Sequence, residues 1–414
     1  MALFRSPDSF PGRAAAGSRS GAPVPRRVVV AGVASASALF LASCAGKGDD
    51  ASPRASTPAA SPSTSGTAAA LKATVTPADG STEVNPVDGV TVTASQGRLT
   101  AVTVKNAAGK AVKGALAADG SSWKSAERLA FDEQYTVAYA GASESEGATS
   151  TFSTTTPPNQ MDAFAYPPKG STVGIAQPVQ ITFSEPVTNK KDVEKAITIT
   201  SSSGQKGRFY WLSDKVVRYR PEAFWAPNST ITVDFKMFGV DVGGGMIGNF
   251  DATHAFQTHN DRHAVVSDKD LMLRVYIDGK HVRTFPTTLG NERWPSADGI
   301  FPIMEQARKT MFRAESIGLK PGDQDYYEPF EYEYTSRLTS TGVFVHKVLD
   351  SALPALGRDR ISHGCVSLAE DGAKFIYENF TIGDYIEVRD TGNGTASMDK
   401  GFMDWNVPWK EYGV

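Results

Sequence analysis

Two cysteines and six histidines are present in this chain, and one cysteine lies where reactive groups gather. Cys365 sits in the run Ser362-His363-Gly364-Cys365-Val366-Ser367-Leu368, and His346 closes the apolar run Thr341-Gly342-Val343-Phe344-Val345 just upstream. A thiol is a strong nucleophile only as the thiolate, at an ordinary pKa of about 8.5. A nearby imidazole can take its proton and later hand it to a leaving group. Glycine lets the backbone approach a substrate carbonyl, so the N–H groups of Gly364 and Cys365 are natural donors to a developing oxyanion. The residue types therefore support acyl transfer through a thioester, with His346 or His363 as the base. Ser367 with Glu370 three residues on reads as a capping box. This predicts a helix starting two residues after the cysteine, with Ala369, Ala373, Ile376 and Phe380 as its apolar face and Gly383 at its end. In that position the unpaired N–H groups of the helix start favour the thiolate of Cys365.

The elements that must position these groups are mostly strands. Thr341–His346 reads as a buried strand and Tyr385-Ile-Glu-Val388 as another, while Leu271–Ile277 and His281–Phe285 flank the hairpin turn Asp278-Gly279. Residues 311–337 read as loop-like and rich in aromatics, including Tyr326 and Tyr327. Upstream, Pro77-Ala-Asp-Gly80-Ser81-Thr82 returns 90 residues later as Pro167-Pro-Lys-Gly170-Ser171-Thr172. That spacing, with alternating runs such as Val179-Gln-Ile181-Thr-Phe183 and Ile231-Thr-Val233-Asp-Phe235, predicts two antiparallel sandwiches of immunoglobulin size. Trp123 and Trp211 are read as their core. His259 and His263 have a spacing that would serve a metal on a helix, but Asn260-Asp261 places them in a loop between two β units. No metal or organic cofactor is expected.

The formal net charge is −3, without the clustered basic excess of a nucleic-acid binder. Two cysteines near opposite ends exclude a disulfide-stapled scaffold. At the N-terminus, five arginines precede Val28–Leu41, an apolar run of 14 residues that suits a signal peptide and is too short to span a bilayer. It ends in Leu41-Ala42-Ser43-Cys44, which resembles the lipobox of bacterial lipoproteins. The resemblance implies cleavage before Cys44 and lipidation of its sulfur, hence a membrane anchor. Ala45–Ala70 contains no aliphatic larger than alanine and no aromatic, so it reads as a tether.

His346, followed nineteen residues later by Cys365 within Ser362-His363-Gly364-Cys365, resembles the active-site motif of the L,D-transpeptidases, bacterial enzymes that cross-link peptidoglycan. The likeness runs from Ala264 to Val388 and continues in Phe402-Met-Asp-Trp405-Asn-Val-Pro408-Trp409, which resembles the C-terminal extension of actinobacterial members. It implies a mainly β protein: signal peptide 1–43, tether 44–70, immunoglobulin-like domains 71–157 and 158–260, catalytic domain 261–390 with one main helix, and extension 391–414. By the same resemblance, Cys365 is the nucleophile, His346 the base and the Lys347 carbonyl the group that orients it. His363 shapes the site with Gly364, while Ser362, Thr341, Gly342 and Ser367 contact or flank substrate. A lid over the cysteine contributes a tyrosine, Tyr327 or Tyr326. Ser367 stands where the family usually has arginine or asparagine. The implied partners are peptidoglycan stem peptides, with carbapenems as inhibitors. The implied reaction is 3→3 cross-linking, its alternatives being L,D-carboxypeptidase action, attachment of a protein to the wall, and wall binding without catalysis.

Overall fold

The computed structural model describes residues 70–142, 148–156 and 161–413. The signal segment, Cys44 and almost all of the tether lie outside them. Within the described residues the chain is mainly β, with immunoglobulin-like sheets followed by a curled half-barrel module that contains few helices.

Each sandwich follows from period-two alternation, which sends every second side chain to the same face. In the strand Val179–Phe183, Val179, Ile181 and Phe183 are buried, and in Thr230–Lys236, Ile231, Val233 and Phe235 are buried. These faces close over a core with Trp225 and Phe256. Val92, Val104, Trp123, Val137 and Phe152 do the same in the first sandwich. Trp211 lies at the margin of its core, where its indole N–H donates to Glu194 at 2.6 Å. The sequence repeat is also a structural repeat. The Gly80 N–H donates to Thr151 and the Gly170 N–H to Ala255, and each following strand (Ser81–Val84, Thr172–Val173) runs parallel to the last strand of its module.

The third module has nine strands: β1 (Arg262–Ser267), β2 (Met272–Ile277), β3 (Lys280–Thr288), β4 (Gly299–Pro302), β5 (Glu305–Phe312), β6 (Phe330–Arg337), β7 (Phe344–Lys347), β8 (Val366–Leu368) and β9 (Tyr385–Arg389). They lie in the order β4-β9-β1-β2-β3-β8-β7-β6-β5. The hairpin at Asp278-Gly279 joins β2 to β3 as the sequence predicts. β7 and β8 are parallel neighbours, with His346 opposite Ser367. The helix Glu370–Asn379 covers one face of this region through Ala373 and Ile376, which join Val345, Val366 and Leu368 in the core.

Four local expectations are corrected. The strand read over Thr341–His346 begins only at Phe344, and Thr341 and Gly342 belong to the preceding turn. The two ends of the loop-like stretch 311–337 are strand, because β6 pairs along β5. His263 lies inside β1 and pairs with Tyr276, rather than in a loop. The helix starts at Glu370 with Ala369 as its cap and stops at Asn379, ahead of Gly383. Ser367 is not a cap, because residues 366–368 are drawn into the sheet between β3 and β7.

The C-terminal segment packs on the second sandwich. Arg218 donates to the Asp404 carboxylate at 2.9 Å and to the Gly401 carbonyl at 2.6 Å, and both side chains are buried. The Arg220 guanidinium lies over the ring of Tyr412, and Trp405 donates its indole N–H to Ala176. Nearby, backbone N–H groups of Gly174 and Ala176 donate to Ile382 and Gly383. A Cβ at Gly174 would fall 2.1 Å from the Asp384 nitrogen, so only glycine permits this approach.

Candidate active site

β7 and β8 alternate between the core and a cleft. Val345 and Val366 point into the core, so His346 and Ser367 point the other way. The cleft on that side has a volume of ≈ 210 Å³ and brings together His346, Cys365, His363, Ser362, Ser367, Gly342 and Tyr327. Tyr326 is not among its walls. That side chain is half-buried, and its hydroxyl donates to Glu315. Thr341 lines a neighbouring cavity of ≈ 290 Å³ on the other side of Gly364. Lys347 turns its ammonium away from the cleft toward Glu333 and Glu370, and contributes its carbonyl.

His346 is 6 % exposed. Its Nδ1 lies 2.8 Å from the Lys347 carbonyl, and its Nε2 lies 3.0 Å from the Ser367 hydroxyl. A carbonyl can only accept, so Nδ1 carries the proton and Nε2 presents a lone pair. Burial pushes the imidazole pKa down to about 4, against a smaller upward pull from the Lys347 carbonyl. The ring is therefore neutral at neutral pH, as a base must be.

Cys365 is also 6 % exposed, and its thiol donates to the Gly342 carbonyl at 3.7 Å. Burial pushes its pKa up to about 11, with a backbone hydrogen bond from Phe344 opposing. This reverses the expectation of a favoured thiolate. The helix cap is four residues downstream rather than two, and residues 366–368 between them are a buried strand, so desolvation outweighs the helix field. The oxyanion expectation changes too: the Gly364 N–H is already donated to Ser362 Oγ at 3.2 Å.

His363 stands between the rings of Tyr327 and Trp294, at 5.5 and 5.6 Å, and its buried Nε2 has no hydrogen-bond partner among the described residues. Burial pushes the Tyr327 phenol up to about 12, so it stays a donor. The sequence reading did not single out Tyr332 or Phe312, whose rings pack edge-on to His346 at 4.4 and 5.3 Å. Alternation alone would group Tyr332 with Tyr334. The left-handed backbone at Tyr334 (φ 51°) breaks the alternation, and Tyr334 packs against Tyr377 of the helix instead. Val348, Leu349, Ala352 and Ile361 complete an apolar wall. Among the described residues, no three His, Cys, Asp or Glu side chains converge as metal ligands.

Comparison with known proteins bears on the family of the chain. Residues 81–241 match the family model for a bacterial Ig domain, and residues 261–388 match that for the L,D-transpeptidase catalytic domain. L,D-transpeptidase 2 of Mycobacterium tuberculosis is 33% identical over 325 residues, covering 78% of this chain and 79% of the relative. L,D-transpeptidase 5 of the same species is 27% identical, covering 77% of this chain and 71% of the relative. A solved LD transpeptidase in complex with imipenem aligns with 56% of this chain and 100% of its own, at 30% identity and a TM-score of 0.49. From the extent of the match to L,D-transpeptidase 2 and the catalytic-domain match that contains His346 and Cys365, this chain belongs to the L,D-transpeptidase family of enzymes.

Proposed function

We propose that this enzyme forms 3→3 cross-links in peptidoglycan, using Cys365 as nucleophile and His346 as base. The observation that carries this reading is the placing of both side chains on one cleft, with Nδ1 of His346 held by the Lys347 carbonyl and Nε2 free of a proton. The donor is a tetrapeptide stem. Cys365 attacks the carbonyl of the third residue, a diamino acid, while the thiol proton passes to Nε2 of His346. A thioester forms, the peptide bond to D-Ala breaks, and the imidazolium returns the proton to the leaving amine. The side-chain amine of a second stem then attacks the thioester, releases the thiol and completes the cross-link. Water in place of that amine would give L,D-carboxypeptidase products.

The cleft can stabilise the tetrahedral intermediate through the Cys365 N–H. It gains the Gly364 N–H only when Ser362 Oγ gives way, so assembly of the hole accompanies substrate binding. Tyr327 and His363 line the cleft and supply polar contacts to the stem. A carbapenem acylates Cys365 by the same attack on its strained amide. The Cys44 anchor and the tether would hold the enzyme at the outer face of the membrane while the sandwiches set its reach into the wall. Peptidoglycan remodelling outside the membrane requires such export.

The test is incubation of the full-length protein, purified in detergent, with disaccharide-tetrapeptide, read by mass spectrometry beside Cys365→Ala. A dimer that has lost one D-Ala, absent from the variant, is the expected product. Tripeptide monomer alone would identify a carboxypeptidase, and unchanged substrate would reject both.

A further inference from the structure

The register of β7 against β8 has a consequence for the base. In this parallel pair His346 lies opposite Ser367, so their side chains stand side by side on the cleft face. Ser367 is 2 % exposed, and among the described residues its side chain makes one hydrogen bond, to Nε2 of His346 at 3.0 Å. Since Nδ1 holds the ring proton against the Lys347 carbonyl, the hydroxyl must be the donor to Nε2 at rest. The thiol at rest donates elsewhere, to Gly342. Among the described residues, none of the side chains lining the cleft belongs to Asp, Glu, Lys or Arg. A charged imidazolium formed there would find no carboxylate, and a buried ion without partners is costly.

We propose that Ser367 is the positioning residue of the base, a hydroxyl that serves both protonation states of His346. With the neutral ring it donates to Nε2 and fixes the direction of its one lone pair. As Cys365 attacks, the hydroxyl rotates its proton off Nε2, the thiol proton moves from Sγ to the lone pair so freed, and the new bond forms from Sγ to the substrate carbonyl carbon. The Nε2–H of the imidazolium then donates to a lone pair of Ser367 Oγ while Nδ1–H continues to donate to Lys347. The proton leaves Nε2 for the departing amine and the hydroxyl turns back. A side chain able to donate and accept at one point can do this; alanine can do neither. The inference deepens the proposed acyl transfer and rests on it for the catalytic half of its test.

That test has two readouts. Full-length protein labelled with ¹⁵N-histidine is examined by NMR, with His346 assigned by its loss in His346→Ala. In wild type, Nε2 should resonate as a hydrogen-bonded, unprotonated nitrogen and Nδ1 as a protonated one. Ser367→Ala should move Nε2 toward the free position, and Ser367→Thr should leave it in place. In parallel, acylation of Cys365 by a carbapenem is timed by mass spectrometry. Loss of a hydrogen bond to a charged partner predicts a fall of about 10- to 100-fold in Ser367→Ala, with recovery in Ser367→Thr. A wild-type Nε2 that is protonated or free of hydrogen bonding overturns the proposal, even if the alanine variant does not fold. Equal acylation of the alanine and threonine variants also overturns it. Wild type that is never acylated while the NMR signature holds would instead remove the acyl-transfer reading and leave the hydrogen bond standing.

Discussion

The buried, neutral thiol makes a quantitative prediction about Cys365 in the free enzyme. A pKa pushed up to about 11, about two units above an ordinary thiol, leaves about 100-fold less thiolate at neutral pH. A more basic thiolate is intrinsically more reactive, and two units with a Brønsted slope of about 0.4–0.5 return roughly 6- to 10-fold. Depletion therefore wins: alkylation by uncharged iodoacetamide should be about 10- to 20-fold slower than for an exposed thiol, before any limit set by access. The rate should rise tenfold per pH unit from pH 6 to about 10, with no plateau at neutral pH. His346, neutral down to about pH 4, holds no ion pair with the thiol, so His346→Ala should leave that slope unchanged. The same variant should lose on the order of 10²–10⁴ in carbapenem acylation, where proton transfer is needed in the transition state. The assay is adduct mass against time across pH 5–10. A flat, fast rate between pH 5 and 8 that collapses in His346→Ala would reveal a preformed thiolate–imidazolium pair, and the burial argument would fail.

Three further outcomes follow from the packing. Arg218→Ala leaves the fully buried Asp404 carboxylate without its guanidinium, which should cost about 3–5 kcal/mol, read as a lowered unfolding midpoint. Near the same junction His259 Nε2 lies 3.3 Å from Asp384 Oδ1. Burial opposes the charge on His259, but the pull of the adjacent Asp384 carboxylate prevails and raises its pKa. A raised folded-state pKa gives a stabilisation fully present below the unfolded value of about 6.5 and lost as pH climbs through the folded one. Denaturation from pH 5 to 9 should show this decline in wild type and a flatter curve in His259→Gln. Lastly, Tyr327 lines the cleft whereas Tyr326 does not, so Tyr327→Ala should raise the KM for donor stem and Tyr326→Phe should leave both KM and kcat near wild type.

Much of the architecture was legible because it is encoded locally. Alternation along Val179–Phe183 and Thr230–Lys236, the Asp278-Gly279 turn and the repeated Pro-x-x-Gly-Ser-Thr openings each depend on neighbours within a few residues. The Ser-His-Gly-Cys motif and its spacing from His346 were legible in the same way. What the local reading got wrong was the surroundings of the nucleophile. Ser367 and Glu370 carry the types of a capping box, but strand β8 gains more by joining β3 and β7 than a helix would by starting there.

The sequence by itself determined which groups could react, the β character of the chain and its division into repeated modules. The tertiary structure alone decided the register that sets Ser367 beside His346, the left-handed turn that separates Tyr332 from Tyr334, and the docking of the C-terminal segment on Arg218 and Arg220. It also reversed the state of the thiol. Propensity and periodicity act over a few residues, whereas strand pairing and desolvation depend on segments distant in the chain, and at Cys365 desolvation is the larger effect.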